Sequence, residues 1–226
     1  MNHNQDLQQR IAGAAGRHFG TPRFQGYLDH CGGDQMKALA LYQWNTEASA
    51  AMWETLGHLE VVLRNRVAGQ LAQRHRQRGR QGSWLDALAR QLDQKGAADV
   101  AKARTRVQSK GKPVSDGQVI AELSFGFWRY LLARRYNTTL WPTIAGGFPN
   151  SPNRNRATIE RPVVRLHEFR NRLAHHERIW NQPLRALHGD ALMVVRSIDN
   201  DLAAWVGRQS RLPAIIATAP QLRPHP

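Results

Sequence analysis

The chain has 226 residues and a formal net charge of +15, because 32 Lys and Arg face 17 Asp and Glu. Its single cysteine, Cys31, excludes an internal disulfide framework and a cysteine-based zinc site. No apolar run approaches the roughly 20 residues that a membrane-spanning helix needs. The first residues contain no apolar signal segment. We therefore expect a soluble, cytoplasmic protein, and the length suits a single domain over 1–226.

The positive charge is distributed unevenly. Residues 1–60 carry four basic and six acidic side chains, whereas 61–226 carry 28 basic and 11 acidic ones. The densest part, 61–110, has twelve basic side chains against three acidic ones. Such an imbalance favours a polyanionic partner, most often nucleic acid. A basic surface that only maintains solubility, or a codon usage rich in arginine, would produce the same excess.

Helical periodicity recurs along the chain, and strand alternation is almost absent. In chain order, helices are predicted at about 5–17, 22–31, 35–77, 84–94, 97–107, 115–131, 156–180 and 189–207. The helix over 35–77 is predicted to break near Asn45-Thr46, since Thr46 is a reasonable N-cap. The pattern indicates an all-α fold.

Polar residues and helix breakers mark the ends of these helices. Asp34 and Ser83 are predicted N-caps, and Ser115 or Asp116 is predicted to begin the following long helix. The stretch 142–156, rich in Pro and Gly, is predicted to be the main loop, and the tail from Pro220 to be loose.

The most informative segment is the string Phe169-Arg-Asn-Arg-Leu-Ala-His-His-Glu-Arg-Ile-Trp-Asn181. Arginine offers a fixed fork of donors for phosphate, and an ordinary histidine exchanges protons near neutral pH. On an ideal helix Asn171, His175 and Arg178 share a face, whereas Arg170 lies about 140° from His175. Arg170 must then reach around, or the helix must distort, or a second subunit must supply one of the groups.

A purely structural role is the alternative for these residues. Arg170 is then an ion-pair partner of Glu60, Glu160 or Glu177, and His175 is an ordinary surface histidine.

The string resembles the signature Arg-Asn-(three or four residues)-His of the Abi-like branch of the HEPN superfamily. Trp53 to Arg66 is similar to the N-terminal helix of that family, and Leu123 to Trp128 to its middle motif. The resemblance covers about 40–205, with N-terminal helices over 1–33 before it and a loose tail over 220–226 after it. It implies a HEPN-type helical bundle with additional helices.

This resemblance implies a metal-independent endoribonuclease of phage-defence or toxin type, which leaves 2′,3′-cyclic phosphate and 5′-hydroxyl ends. Arg170 would stabilise charge on the scissile phosphate, Asn171 would orient the backbone or the histidine, and His175 would exchange the proton. Supporting roles are expected for three further residues, His176, Glu60 and Arg64. The alternative is a non-catalytic RNA-binding or protein-interaction HEPN module.

Further arginines are predicted to bind RNA, although a solvated helix end explains the first four equally well. These arginines are Arg74, Arg76, Arg78, Arg80, Arg172 and Arg178. No cofactor and no metal are expected: His176-Glu177 lacks the second histidine of a zinc peptidase, and His167 with His175 lacks an evident third ligand. The expected partners are RNA, a second copy of the chain, and an antitoxin protein or RNA, with no membrane.

Overall fold

A computed structural model describes residues 3–111 and 113–220, and within them the chain forms helices and no β-strand. The helices are α1 (His3–His18), α2 (Thr21–His30), α3 (Gln35–Gln77), α4 (Trp84–Ala89), α5 (Gln94–Ser109), α6 (Asp116–Glu122), α7 (Phe125–Leu131), α8 (Trp141–Ile144), α9 (Arg156–Ala174), α10 (Leu184–Ile198), α11 (Asn200–Gln209) and α12 (Leu212–Ala217). The all-α prediction is confirmed, while the HEPN-type bundle stays a prediction.

The predicted N-caps are present. Asp34 Oδ1 accepts the backbone N–H of Lys37 at 3.0 Å, and Ser83 Oγ accepts that of Leu85 at 3.2 Å. Ser115 caps α6 in the same way. Each cap satisfies a donor that the first turn of a helix leaves without an intrahelical partner.

The predicted break near Asn45-Thr46 is wrong, because α3 runs unbroken from Gln35 to Gln77. The Thr46 hydroxyl donates to the carbonyl of Tyr42 at 3.0 Å, four residues back, a bond that is compatible with a continuing helix. The Asn45 side chain is occupied by backbone N–H groups distant in sequence. Neither side chain is available to cap a new helix.

Two predicted helices have different bounds because other side chains start new helices. The helix predicted over 84–94 ends at Ala89, since Asp93 caps α5 by accepting the N–H of Gly96 at 3.0 Å. The helix predicted over 115–131 is divided at Leu123, and Ser124 caps α7.

The C-terminal predictions need similar corrections. The helix predicted over 189–207 is two helices, α10 and α11, and Asp199 accepts the N–H of Leu202 at the start of the second. The loop predicted over 142–156 contains most of α8. The loose tail predicted from Pro220 lies, beyond that residue, outside the described part of the chain.

The chain divides into two compact units. Unit 1 comprises Met1–Glu54, Arg172–Arg185 and Ser210–Pro226, and unit 2 comprises Thr55–Asn171 and Ala186–Gln209. The single domain over 1–226 stays a prediction. Helices α3 and α9 each contribute residues to both units.

An aromatic cluster in unit 1 buries Phe24 and Tyr27 and extends to the half-buried Tyr42 and the exposed Phe19. The rings of Phe19 and Tyr42 stack with centroids 4.5 Å apart, and Tyr27 meets Tyr42 edge-on at 5.3 Å. The indole of Trp44 donates to the carbonyl of Ile215 at 2.8 Å, so α12 is fixed to the first half of α3. Aromatic pairs of this kind contribute beyond the area they bury.

Unit 2 has a hydrophobic core drawn from several helices, which includes the aromatic side chains of Phe125 and Trp128 on α7. Its α3 segment buries Leu56, Leu59, Leu63, Val67 and Leu71, and its α9 segment buries Ile159, Val163, Leu166 and Phe169. Both sets follow the three- and four-residue spacing of an amphipathic helix. This spacing explains why one face of each helix is buried and the other is left for polar residues.

Candidate functional site

Helix α9 ends at Ala174, so the predicted helix end near 180 is wrong. The N–H of Glu177 bonds to the carbonyl of Arg172 at 2.9 Å, and that of His176 to the carbonyl of Leu173 at 3.0 Å. His176 has φ of 52°, the left-handed conformation that this type of helix ending requires. The two bonds form a Schellman motif and turn the chain out of the helix at the motif histidines.

His175 is consequently the C-cap residue rather than a residue on a helical face. The shared face predicted for Asn171, His175 and Arg178 does not exist, because the latter two follow the end of α9. The His175 side chain is exposed, and the His175 carbonyl accepts a bond from Arg23 Nη2 at 3.4 Å. The imidazole is therefore accessible to a large substrate.

A basic pocket of about 370 Å³ lies beside this turn, within unit 1. Its lining residues are Pro22, Arg23, Arg172, His176, Glu177, Arg178 and Asn181. Arg172 Nη1 and Glu177 Oε2 are 3.0 Å apart, so the Glu177 carboxylate in the lining is ion-paired. The guanidinium groups of Arg23 and Arg178 leave the pocket with net positive charge.

The start of α2 forms one wall of this basic pocket. Pro22 lies in the first turn, where the partial positive charge of a helix favours anions. Further along α2, a Cβ at Gly26 would overlap Nη1 of Arg178, so the absence of a side chain at Gly26 makes room for the guanidinium. Burial raises the pKa of Tyr27 to about 12, Tyr42 adds to the rise, and Arg178 and Arg23 oppose it.

The end of the motif string has a structural role. Asn45 Oδ1 accepts the backbone N–H of Ile179 at 2.8 Å and that of Trp180 at 3.2 Å. The Trp180 ring stacks on His30 with centroids 4.2 Å apart and meets Tyr27 edge-on at 6.3 Å. These contacts anchor the segment that follows the exposed histidines.

Arg170 and Asn171 are half-buried on α9 and belong to unit 2. His167 lies one turn before Arg170, so the two share a face of the helix. Burial lowers the pKa of His167, the charges of Arg129 and Arg170 lower it further, and Glu168 opposes them. Arg170 and Arg129 thus both lie close enough to His167 to disfavour its protonated form.

No sequence pattern marks Arg129, and His167 stands out in the sequence only as a candidate metal ligand. The spacing of three between His167 and Arg170 was the available signal. The structure adds Gly126, where a Cβ would lie 2.9 Å from His167 Nε2. The glycine therefore gives space to the imidazole, a relation that the sequence does not show.

The predicted supporting and RNA-binding residues on α3, and those just after its end at Gln77, lie in unit 2. Glu60 and Arg64 are half-buried, and Arg64 Nε donates to the adjacent Asn65 Oδ1 at 3.4 Å. Arg76, Arg78 and Arg80 are exposed, while the half-buried Arg74 donates to the hydroxyl of Thr143.

Within residues 3–111 and 113–220, no group of three or more His, Cys, Asp or Glu side chains is arranged to hold a metal ion. No helix in these ranges is both long enough and apolar enough to span a bilayer.

Comparisons with known proteins identify the family. A search of curated proteins and a search of solved structures found no match. A family model described as "Abi-like protein" matches residues 22–181, which include α2, the whole of α3 and the motif string through Asn181. Because this match spans most of the chain, the protein belongs to the Abi-like family.

Proposed function

We propose that this protein is a metal-independent endoribonuclease that acts in phage defence by abortive infection. Membership of the Abi-like family supports the biological role. The observation that carries the enzymatic proposal is the exposed His175 at the end of α9, beside a basic pocket built from the same motif. A proton-exchanging side chain and phosphate-binding side chains are the minimum that RNA cleavage without metal requires.

The proposed reaction begins with attack of a ribose 2′-oxygen on the adjacent phosphorus. A bond forms between the 2′-oxygen and phosphorus, and the bond to the 5′-oxygen breaks, leaving a 2′,3′-cyclic phosphate. His175 takes the 2′-hydroxyl proton or gives a proton to the departing 5′-oxygen. Arg170 stabilises the negative charge on the phosphoryl oxygens, and Asn171 orients the backbone.

The basic pocket supplies the RNA-binding part of the proposal. Arg23 and Arg178 line the pocket, and Glu177, which is the one carboxylate that the described residues place in its lining, pairs with Arg172. Guanidinium groups bind phosphate oxygens in a fixed fork geometry. We expect the RNA backbone on either side of the scissile phosphate to occupy this pocket.

The test is cleavage of total RNA by the purified protein in EDTA, with analysis of the product ends. Wild type should leave cyclic phosphates, and His175→Ala and Arg170→Ala should each lower the rate at least 100-fold. The matched controls are His18→Ala and Arg161→Ala, which remove exposed side chains of the same types. Equal rates for His175→Ala and wild type would overturn the catalytic assignment.

The second candidate is an RNA-binding module without catalysis. It is favoured by the intramolecular contacts of two motif arginines: Arg172 with Glu177, and Arg178 against Gly26. This module would bind RNA with an affinity that falls steeply with salt, and it would leave the RNA intact. Binding by wild type and His175→Ala alike, with no cleavage by either, would establish it.

We also propose a homodimer and an antitoxin, protein or RNA, as further partners. In unit 2, Val61 and Trp205 are large apolar side chains exposed on the surface, and the Trp205 ring lies 5.1 Å from His58. Sedimentation equilibrium tests the dimer. We expect wild type to be dimeric and Val61→Glu with Trp205→Glu to shift it toward monomer, whereas a monomeric wild type would overturn the dimer.

A further inference from the structure

A second basic pocket lies in unit 2, at the point where α3 ends and the chain turns into α4. Its volume is about 40 Å³, roughly three times what a single water needs. Its lining residues are Leu71, Arg74, His75, Arg78, Arg80, Trp84, Ala87, Leu88, Gln91, Leu140 and Thr143. Among the described residues, no acidic side chain lines it.

Three arginines meet at this pocket without a carboxylate partner. Arg74, Arg78 and Arg80 form no ion pair within residues 3–111 and 113–220. Burial lowers the pKa of Arg74, and the nearby charges of Arg78 and Arg80 lower it further. Like charges held together in this way cost free energy unless an anion joins them.

His75 provides an independent observation. Its side chain is buried at 9 % relative exposure, and it lines the pocket. Its Nε2 atom is fully buried and has no hydrogen-bond partner among the described residues. A buried polar atom without a partner is rare in proteins and calls for a ligand or an ordered water.

Helix-end stabilisation does not account for this arrangement. Basic residues in the last turn of a helix do interact with its terminal carbonyls. Here the backbone already serves several of those carbonyls: the N–H of Gly79 bonds to Arg76 O at 2.9 Å and that of Arg80 to His75 O at 3.4 Å.

We propose that this pocket binds a terminal phosphate monoester, with Arg74, Arg78, Arg80 and His75 as its ligands. The hydroxyl of Thr143 and the amide of Gln91 complete the polar wall, and Trp84 and Leu71 form the apolar one. The small volume admits one phosphate group and excludes a nucleobase. A dianionic monoester matches three arginines better than a singly charged diester, which also needs two exits for its sugars.

The occupant is the 5′-phosphate end of an RNA strand, an assignment that rests on the proposed function because RNA is the proposed substrate. A free mononucleotide carries the same phosphate monoester, and competition binding distinguishes it from an RNA end. RNA strands with a 5′-phosphate would then bind more tightly than strands with a 5′-hydroxyl.

The test uses 2′-O-methyl oligonucleotides of one sequence, with a 3′ fluorophore and either a 5′-phosphate or a 5′-hydroxyl. These strands lack the nucleophilic hydroxyl, so binding is measured whether or not the protein cleaves RNA. Wild type should bind the 5′-phosphorylated strand at least tenfold more tightly. The double variant Arg78→Gln with Arg80→Gln should abolish this preference.

The matched control is Arg90→Gln with Arg208→Gln, which removes the same charge from exposed positions outside the pocket. It should retain the preference. Competition by adenosine 5′-monophosphate at concentrations equal to the strand would identify a free nucleotide as the ligand, and competition only in large excess would identify the RNA end.

No preference in wild type, or a preference that survives in the Arg78→Gln and Arg80→Gln variant, would overturn the proposal. Cleavage of ordinary RNA is measured separately. If wild type prefers the 5′-phosphorylated strand but does not cleave RNA, the nuclease proposal fails and the phosphate pocket stands. If wild type cleaves RNA without that preference, the phosphate pocket fails and the nuclease proposal stands.

Discussion

The side-chain carbonyl of Asn45 accepts the backbone N–H of Ile179 at 2.8 Å and thereby ties the middle of a long helix to the end of the motif string. Asn45 is 6 % exposed and Ile179 is fully buried, so water does not replace this bond. The same oxygen also accepts the N–H of Trp180 at 3.2 Å. One amide oxygen therefore holds the segment that follows the exposed histidines.

Replacement of Asn45 by Ala should destabilise the protein by about 2–4 kcal/mol, because two backbone donors, one of them fully buried, lose their acceptor. Urea unfolding followed by circular dichroism measures the change. Thr46→Ala is the matched control: its exposed hydroxyl only bonds back to Tyr42, and its removal should cost less than about 0.5 kcal/mol. Equal losses for both variants would contradict the role of Asn45.

His176→Gly separates the two motif histidines. Glycine adopts the left-handed conformation without the roughly 1–2 kcal/mol penalty of a side chain, offset partly by its greater freedom when unfolded. We expect stability to rise by about 0.5–1 kcal/mol and the helix ending to persist. If His175 is the proton-exchanging group, RNA cleavage should continue at a rate within a few-fold of wild type.

A fall in cleavage with the His176→Gly variant comparable to that with His175→Ala would reassign the catalytic role to His176. Thermal unfolding of both variants is the control, since a variant that unfolds at the assay temperature reports on stability alone.

Gly26→Ala should weaken RNA binding about as much as Arg178→Ala does. The added Cβ takes the position of the Arg178 guanidinium, which must leave the basic pocket. Gly→Ala within a helix otherwise favours folding by about 0.5–1 kcal/mol, so lost binding would not reflect a weaker helix. Fluorescence anisotropy with labelled RNA measures the affinity.

Gly16→Ala is the matched control for that measurement. A Cβ at Gly16 meets only the Phe24 ring, at an ordinary 3.7 Å, so RNA affinity should not change. Unchanged affinity for Gly26→Ala would show that Arg178 does not bind RNA from this position.

Acidification should destabilise the protein through two histidines of unit 2. Burial lowers the pKa of both His167 and His188, and at His167 Arg129 and Arg170 add to the effect. Between the ordinary histidine pKa of about 6.5 and the lower folded value, the unfolded chain binds more protons. The free energy of unfolding should therefore fall as pH falls through that window.

Urea unfolding at pH 7.5 and pH 5.5 measures this dependence. His188→Leu should reduce the loss of stability between the two pH values, because its buried imidazole no longer has to accept a proton on unfolding. His18→Leu, at an exposed position, should leave the loss unchanged. An identical pH dependence for wild type and His188→Leu would contradict the prediction.

The helical class, three of the caps and the motif follow from the sequence alone. Asp34, Ser83 and Ser115 each precede a helix-forming segment, and the capping bond is made within three residues, so local physics suffices. The resemblance to the Abi-like family rested on three short contiguous strings, at Trp53 to Arg66, Leu123 to Trp128 and Phe169 to Asn181, and was confirmed by the match over 22–181. Contiguous features of this kind do not depend on how distant segments pack.

The tertiary structure decided the features that depend on distant partners. The sequence predicts a helix break near Asn45, yet the Asn45 side-chain oxygen accepts the N–H groups of Ile179 and Trp180, more than 130 positions away. Helix α9 ends at Ala174 through a local Schellman motif in which His176 stands where glycine is usual, and the distant Asn45 anchors the segment that follows. The charges around His75 come from the contiguous run Arg74 to Arg80, but the residues that close the pocket around them come from later segments, and only packing brings Arg129 close to His167.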